Sequence, residues 1–87
     1  MTFVICINNK SNPASLILGK VYRALPDEEA ELHNMRRVID EDLSEPDGYL
    51  YPASLFVPIE LPDEAARVLL ETWTRSRIGL GKRLIVV

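Results

Sequence analysis

The chain has 87 residues, 47% of them apolar, and a formal net charge of −3. That length allows one small domain, and the ordinary apolar fraction argues against disorder. The lone cysteine, Cys6, excludes an intrachain disulfide and a thiolate zinc cluster. No apolar run approaches the roughly 20 residues that span a bilayer. The opening residues lack the basic and long apolar segments of a signal peptide, so a cytoplasmic location is expected. Charge is unevenly spread. Residues 1–61 hold five Lys/Arg against ten Asp/Glu, whereas residues 62–87 hold five against three. An acidic body repels phosphate backbones, so any nucleic-acid contact would run through residues 62–87.

Phe3, Val4, Ile5 and Ile7 are strand formers and predict a first strand over residues 2–8. A polar loop, Asn8 to Ser15, follows. Residues 16–25 read as a second strand that bends at Gly19, since glycine inside a strand marks a bulge or kink. Valine at position 19 is expected to destabilise the domain severely, through positive φ and crowding. Pro26 to Glu31 suits one helical turn behind its proline. Met35 to Asp40 predicts a third strand, and Asp47-Gly48 supplies a strong turn signal for a hairpin over residues 42–48.

The stretch from Tyr49 to Leu61 is apolar at every odd position, a period of two that predicts extended chain. Pro52 and Pro58 interrupt it, which predicts two short strands, about 49–52 and 55–60, hinged at Pro52-Ala53-Ser54. Pro62, Asp63 and Glu64 then suit a helix start. Ala65, Val68, Leu69, Thr72 and Trp73 recur at helical spacing, predicting an amphipathic helix of about 12–15 residues. Gly79-Leu80-Gly81 ends it. Arg83 to Val87 is aliphatic enough to predict an extra C-terminal strand, paired with its own barrel or with a second copy in a homodimer.

Two stretches resemble the SH3-like barrels: residues 16–25, with their glycine kink, and Tyr51 to Val57, like the proline-led helical turn before the last strand. Leu18 to Tyr22, Arg37 to Glu41 and Tyr49 to Pro62 further resemble a group of small bacterial SH3-like proteins of no assigned activity. The resemblance implies a mainly β fold, an SH3-like five-stranded barrel over residues 1–61. A C-terminal amphipathic helix and tail, residues 62–87, would pack on it within a single domain. Phe3, Ile5, Leu18, Val21, Val38, Ile39, Leu55, Val57 and Ile59 are expected in the core. Peptide-binding SH3 domains carry an aromatic-rich first loop and a tryptophan on the third strand. Here the loop Asn8 to Ser15 has no aromatic and Met35 stands near the tryptophan position, so polyproline recognition is not expected.

Cys6 and His33 are the only nucleophile–base pair available. Cys6 lies in an apolar strand and His33 in a polar turn, with no Gly-rich elbow for an oxyanion. No catalytic residues are therefore assigned. The acidic run Asp40 to Asp47 invites a calcium reading, but an EF-hand frame from Asp40 puts Glu45 where glycine is required and Tyr51 where the bidentate glutamate belongs. No metal or cofactor is assigned, and the run reads as a solvated hairpin tip. Tyr22, Tyr49 and Tyr51 either fill the core with hydroxyls at the rim or form a binding surface. The candidate partner-binding residues are Tyr22, Tyr49, Tyr51, Pro52, Trp73, Arg75 and Arg77. A non-catalytic interaction or adaptor module with an unidentified protein partner is the first expectation. A nucleic-acid-associated barrel using Arg75, Arg77, Lys82 and Arg83 is the alternative, and neither a membrane partner nor an enzyme is expected.

Overall fold

The computed structural model describes residues 2–78, with side chains as far as Thr72. Five antiparallel strands form a curled half-barrel: β1 (Thr2–Cys6), β2 (Val21–Leu25), β3 (Met35–Ile39), β4 (Tyr49–Pro52) and β5 (Phe56–Ile59). Their order across the sheet is β4-β3-β2-β1-β5. A short helix α1 (Glu28–Leu32) links β2 to β3, a 3₁₀ turn (Ala53–Leu55) links β4 to β5, and α2 (Asp63–Ile78) follows. The expected strand over residues 83–87, and the break at Gly79-Leu80-Gly81, lie outside the described residues.

The core is small and mixed in character. Val4 and Cys6 of β1 meet Tyr22 and Ala24 of β2, Val38 of β3, Tyr51 of β4 and Phe56 of β5. Leu16, a loop residue, is fully buried among them. The Tyr51 and Phe56 rings meet edge to face, with centroids 6.0 Å apart. This geometry adds about 0.5–1.5 kcal/mol beyond the area buried.

Two expectations about the core are corrected here. The second strand starts at Val21, because residues 17–20 form a tight turn closed by Lys20 N–H to the Ile17 carbonyl (3.1 Å). Gly19 takes φ +83° at its third position, where only glycine fits easily. Gly19 and Lys20 both face Cys6: the Gly19 amide donates to the Cys6 carbonyl (2.8 Å) and the Cys6 amide to the Lys20 carbonyl (3.0 Å). That is a glycine bulge, the kink expected at this position. The turn throws Leu18 into solvent, 60% exposed, and sends Leu16 inward instead. Nothing lies within 4 Å of a Cβ built on Gly19, so the expected crowding there is absent.

The second correction concerns Val57, which is exposed, while its neighbour Phe56 is buried. A strict period of two would bury Val57. The 3₁₀ turn consumes three residues between the strands and resets the phase, so the buried residues are Tyr51 in β4 and Phe56 in β5. Phe3, Val38 and Ile39 are buried as expected, and Ile5, Val21, Leu55 and Ile59 are half-buried.

The helices begin for identifiable reasons. Asp27 caps α1, its Oδ1 accepting the Ala30 amide at 2.9 Å, and its Oδ2 accepts Arg37 Nε at 2.8 Å, tying α1 to β3. Asn34 then reverses the chain with φ +60°, and its carbonyl accepts the Ala53 amide at 2.8 Å. In α2 the Ala66 amide reaches the Pro62 carbonyl (3.0 Å), and Asp63 and Glu64 occupy the first turn, where the dipole favours them. Ala65, Ala66, Leu69 and Leu70 are the half-buried positions, whereas Val68 is 58% exposed and Thr72 is exposed. The covered stripe is thus rotated from the expected one.

Candidate functional site

The hairpin joining β3 to β4 is where carboxylates and tyrosines converge. Residues 40–47 contain five carboxylates, and several of them organise the loop itself. Asp40 Oδ1 accepts the Asp42 amide (2.8 Å), and Asp42 Oδ1 accepts both the amide (3.1 Å) and the hydroxyl (2.5 Å) of Ser44. Glu45 Oε1 accepts the Asp47 amide (3.3 Å) and its carbonyl accepts the Gly48 amide (3.1 Å). These are local side-chain turns of the kind that compete with regular structure. Among the described residues no group of three His, Cys, Asp or Glu is arranged to hold a metal.

Gly48 delivers the chain into β4. It holds φ +66°, and a Cβ there would lie 2.5 Å from the Val38 carbonyl oxygen. Only glycine permits this approach.

Each tyrosine of the region is bound to one carboxylate of the run. Tyr51 is 7% exposed, and its hydroxyl donates to Asp40 Oδ2 inside the fold. Burial first, and then the bond to Asp40, push its pKa up to about 12, against a hydrogen bond with Ser15 that lowers it. Tyr22 is 2% exposed; its hydroxyl donates to Glu41 Oε2 (2.5 Å) and accepts the Ile17 amide (2.8 Å). Its pKa is raised by burial and by Glu41. Tyr49 stands at the surface and donates to Asp42 Oδ2 (2.9 Å), which raises its own pKa and, behind the Ser44 hydroxyl, lowers that of Asp42.

Glu41 binds Lys20 at 2.7 Å, and the lysine lies 5.4 Å over the Tyr22 ring. Burial alone would raise the Glu41 pKa, but the bonds from Lys20 and Tyr22 outweigh it and hold it below the usual carboxylate value. The Glu41 amide also donates to the Ser15 carbonyl (3.1 Å), which seats the loop after β1 against the hairpin.

The result is an open cleft of about 290 Å³ lined by Ser15, Asp40, Asp42, Tyr49, Leu50 and Tyr51. The hairpin around it is acidic: residues 38–50 hold five Asp and Glu and no Lys, Arg or His, and Arg37 beside it reaches only its Asp47 carbonyl (3.4 Å). Lys20 offsets Glu41 alone. A larger hollow of about 620 Å³ lies where Phe3 and Ile59 meet Glu60, Asp63 and Ala66. It is a junction between the sheet and the start of α2.

The sequence-based candidates divide accordingly. Tyr49 and Tyr51 are brought together in the cleft. Tyr22 is a core residue behind it, so it offers no partner surface. Pro52 is exposed but sits opposite Met35 at the far end of β4, away from the cleft lining. Trp73, Arg75 and Arg77 lie on α2, beyond the described side chains, and Lys82 and Arg83 lie outside the described residues. Cys6 is buried, with its thiol directed to the Asn8 carbonyl (3.6 Å), and His33 is exposed at the cap of α1. Missed from sequence were Ser15 and the buried role of Asp40. Its signal was available: a carboxylate directly after the apolar pair Val38-Ile39, with a tyrosine across the hairpin.

The chain matches no known family model, and neither a curated protein nor a solved structure matches it. Among the described residues no helix is long and apolar enough to cross a membrane.

Proposed function

We propose that this protein is a non-catalytic interaction module built on an SH3-like half-barrel, and that its working face is the acidic tyrosine cleft. The strand order and the 3₁₀ turn between β4 and β5 support the fold assignment. The observation that carries the function is a formed cleft lined by two carboxylates, Asp40 and Asp42, neither of which forms an ion pair with a described residue. Such a face attracts Lys- or Arg-bearing segments of a protein partner and repels nucleic acid. The tyrosines bring rigid amphipathic surface that costs little entropy to present.

The test is an NMR titration of the full chain with a capped Gly-Lys-Val-Lys-Gly peptide at low and high salt. Shifts confined to Asp42, Tyr49, Leu50 and Tyr51, lost at high salt and in Asp42→Lys, are the expected result. Shifts centred on Phe3, Ile59 and Ala66, or none at all, would overturn it. A short single-stranded oligonucleotide that binds instead, through α2, would establish the nucleic-acid alternative.

A further inference from the structure

The two outer strands of the sheet differ in what their backbones leave free. On the β5 side the register pairs Val4 with Pro58 and Ile5 with Val57. Proline has no amide, so Val4↔Pro58 is an open pair and Pro58 faces outward. The bond from Ile7 N–H to the Leu55 carbonyl (2.8 Å) fits the same alternation. The backbone amide of the buried Phe56 also points away from β1, but it is already given to the Ala53 carbonyl. Neither outward position of β5 has a donor to offer.

On the β4 side the bond from Ala53 N–H to Asn34 fixes the alternation. Counting back through the register makes Arg36↔Tyr51 and Val38↔Tyr49 the bonded pairs, and Met35↔Pro52 and Arg37↔Leu50 the open ones. Pro52 has no amide, and the Gly48 amide is held by Glu45. The Leu50 amide and carbonyl therefore both point away from the sheet, and no described group bonds either. Leu50 is 44% exposed and lines the acidic cleft.

Resting on the cleft as the working face, we propose that β4 accepts one extended segment of a partner protein by antiparallel strand addition, anchored at Leu50. The segment has the pattern basic–apolar–basic. Its central residue exchanges both backbone bonds with Leu50 and lays an apolar side chain beside it. The flanking side chains fall on the opposite face, with Tyr49 and Tyr51, because successive residues of a strand alternate. That is the side of Asp40 and Asp42, which selects Lys or Arg at both flanks. Addition is confined to one anchoring residue, since the next outward positions lack a free donor. Recognition is therefore short and weak, and charge supplies the specificity.

Three capped peptides test this against the full chain by NMR: Gly-Lys-Val-Lys-Gly, the same peptide N-methylated at its Val amide, and Gly-Glu-Val-Glu-Gly. The first should shift the Leu50 amide most and leave Phe56 to Ile59 unmoved. N-methylation should weaken binding about tenfold or more, the loss of one or two backbone bonds. The glutamate peptide should not bind. Equal binding of the methylated peptide would overturn strand addition while leaving the acidic cleft intact. Equal binding of the glutamate peptide, or no binding of the first, would overturn the cleft reading itself.

Discussion

The edges β4 and β5 each carry a proline in an outward position, yet they are left in different states. On β5 the chain has no outward donor: Pro58 removes one and the 3₁₀ turn takes the other. On β4, Pro52 closes one end and Glu45 holds the Gly48 amide, but no described group takes up the outward amide of Leu50 between them. Exposed edges invite unwanted pairing, and proline is a common means of blunting them. Here one edge is shut and the other is narrowed to one residue, beside the acidic hairpin. The proposed strand addition at Leu50 turns on this contrast.

The largest expected effect comes from the residue that sets β4 in place. Gly48→Ala must strain a positive φ and push its Cβ into the Val38 carbonyl, so it should cost about 3 kcal/mol or more. Gly19→Val meets open space and incurs only the backbone strain, about 1–2 kcal/mol. Thermal denaturation of the two variants ranks them, and an equal fall in Tm would show that contact with β3 does not govern β4.

Next in size are the two buried tyrosines, Tyr51 in the cleft lining and Tyr22 in the core. Tyr51→Phe leaves the buried Asp40 carboxylate without its hydroxyl donor and should cost about 1–3 kcal/mol. Tyr22→Phe should cost less, about 1 kcal/mol, because Glu41 keeps Lys20. Chemical denaturation reads both. A reversed order would place the main stabilising pair at Glu41 instead.

The same pairs set a pH window. Tyr51 is raised from 10.0 to about 12 on folding, so its contribution is complete below pH 10 and is lost as pH rises through about 12. Glu41, Asp27 and Asp42 are lowered, so theirs are complete above the usual carboxylate pKa and are lost as pH falls below it. Stability should therefore be flat between mildly acidic and mildly alkaline pH. Tyrosinate absorbance should appear later in the native chain than in urea. Ordinary titration of all three tyrosines would break the account of the cleft.

The smallest effect on stability, and the one that bears most on the edges, is expected from Pro58→Val. It returns an outward amide to β5 and should change the unfolding free energy by less than about 0.5 kcal/mol. The sheet would then have a second strand-accepting edge, and sedimentation should show mass rising with concentration. A variant as monodisperse as the parent would show that Pro58 does not guard this edge.

Much of this fold was legible in the sequence because its punctuation is strong. Gly19, Gly48, Pro52 and Pro62 each mark a real turn, bulge or helix start, and the strands at residues 35–39 and 49–52 fall where they were expected, the second of them by alternation. Alternation failed where an irregular turn intervenes: three residues of 3₁₀ helix exchanged Val57 for Phe56 in the core, and the turn at 17–20 exchanged Leu18 for Leu16. The cleft was half legible. Tyr49 and Tyr51 stood out, but Ser15 comes from a loop more than 30 residues earlier, brought in by one backbone bond to Glu41. Nor does composition reveal that Tyr22 and Tyr51 spend their hydroxyls on Glu41 and Asp40. That depends on register, which residue types alone do not specify.

The open edge at Leu50 is tested most directly by amide hydrogen exchange of the free chain, resolved by residue. The Tyr49 and Tyr51 amides, bonded to β3, should exchange slowly, while the Leu50 amide between them exchanges close to the rate of an unstructured peptide. Adding the Gly-Lys-Val-Lys-Gly peptide should slow Leu50 alone. Protection of Leu50 in the free, monomeric chain would mean that its amide is already engaged, and would contradict the account.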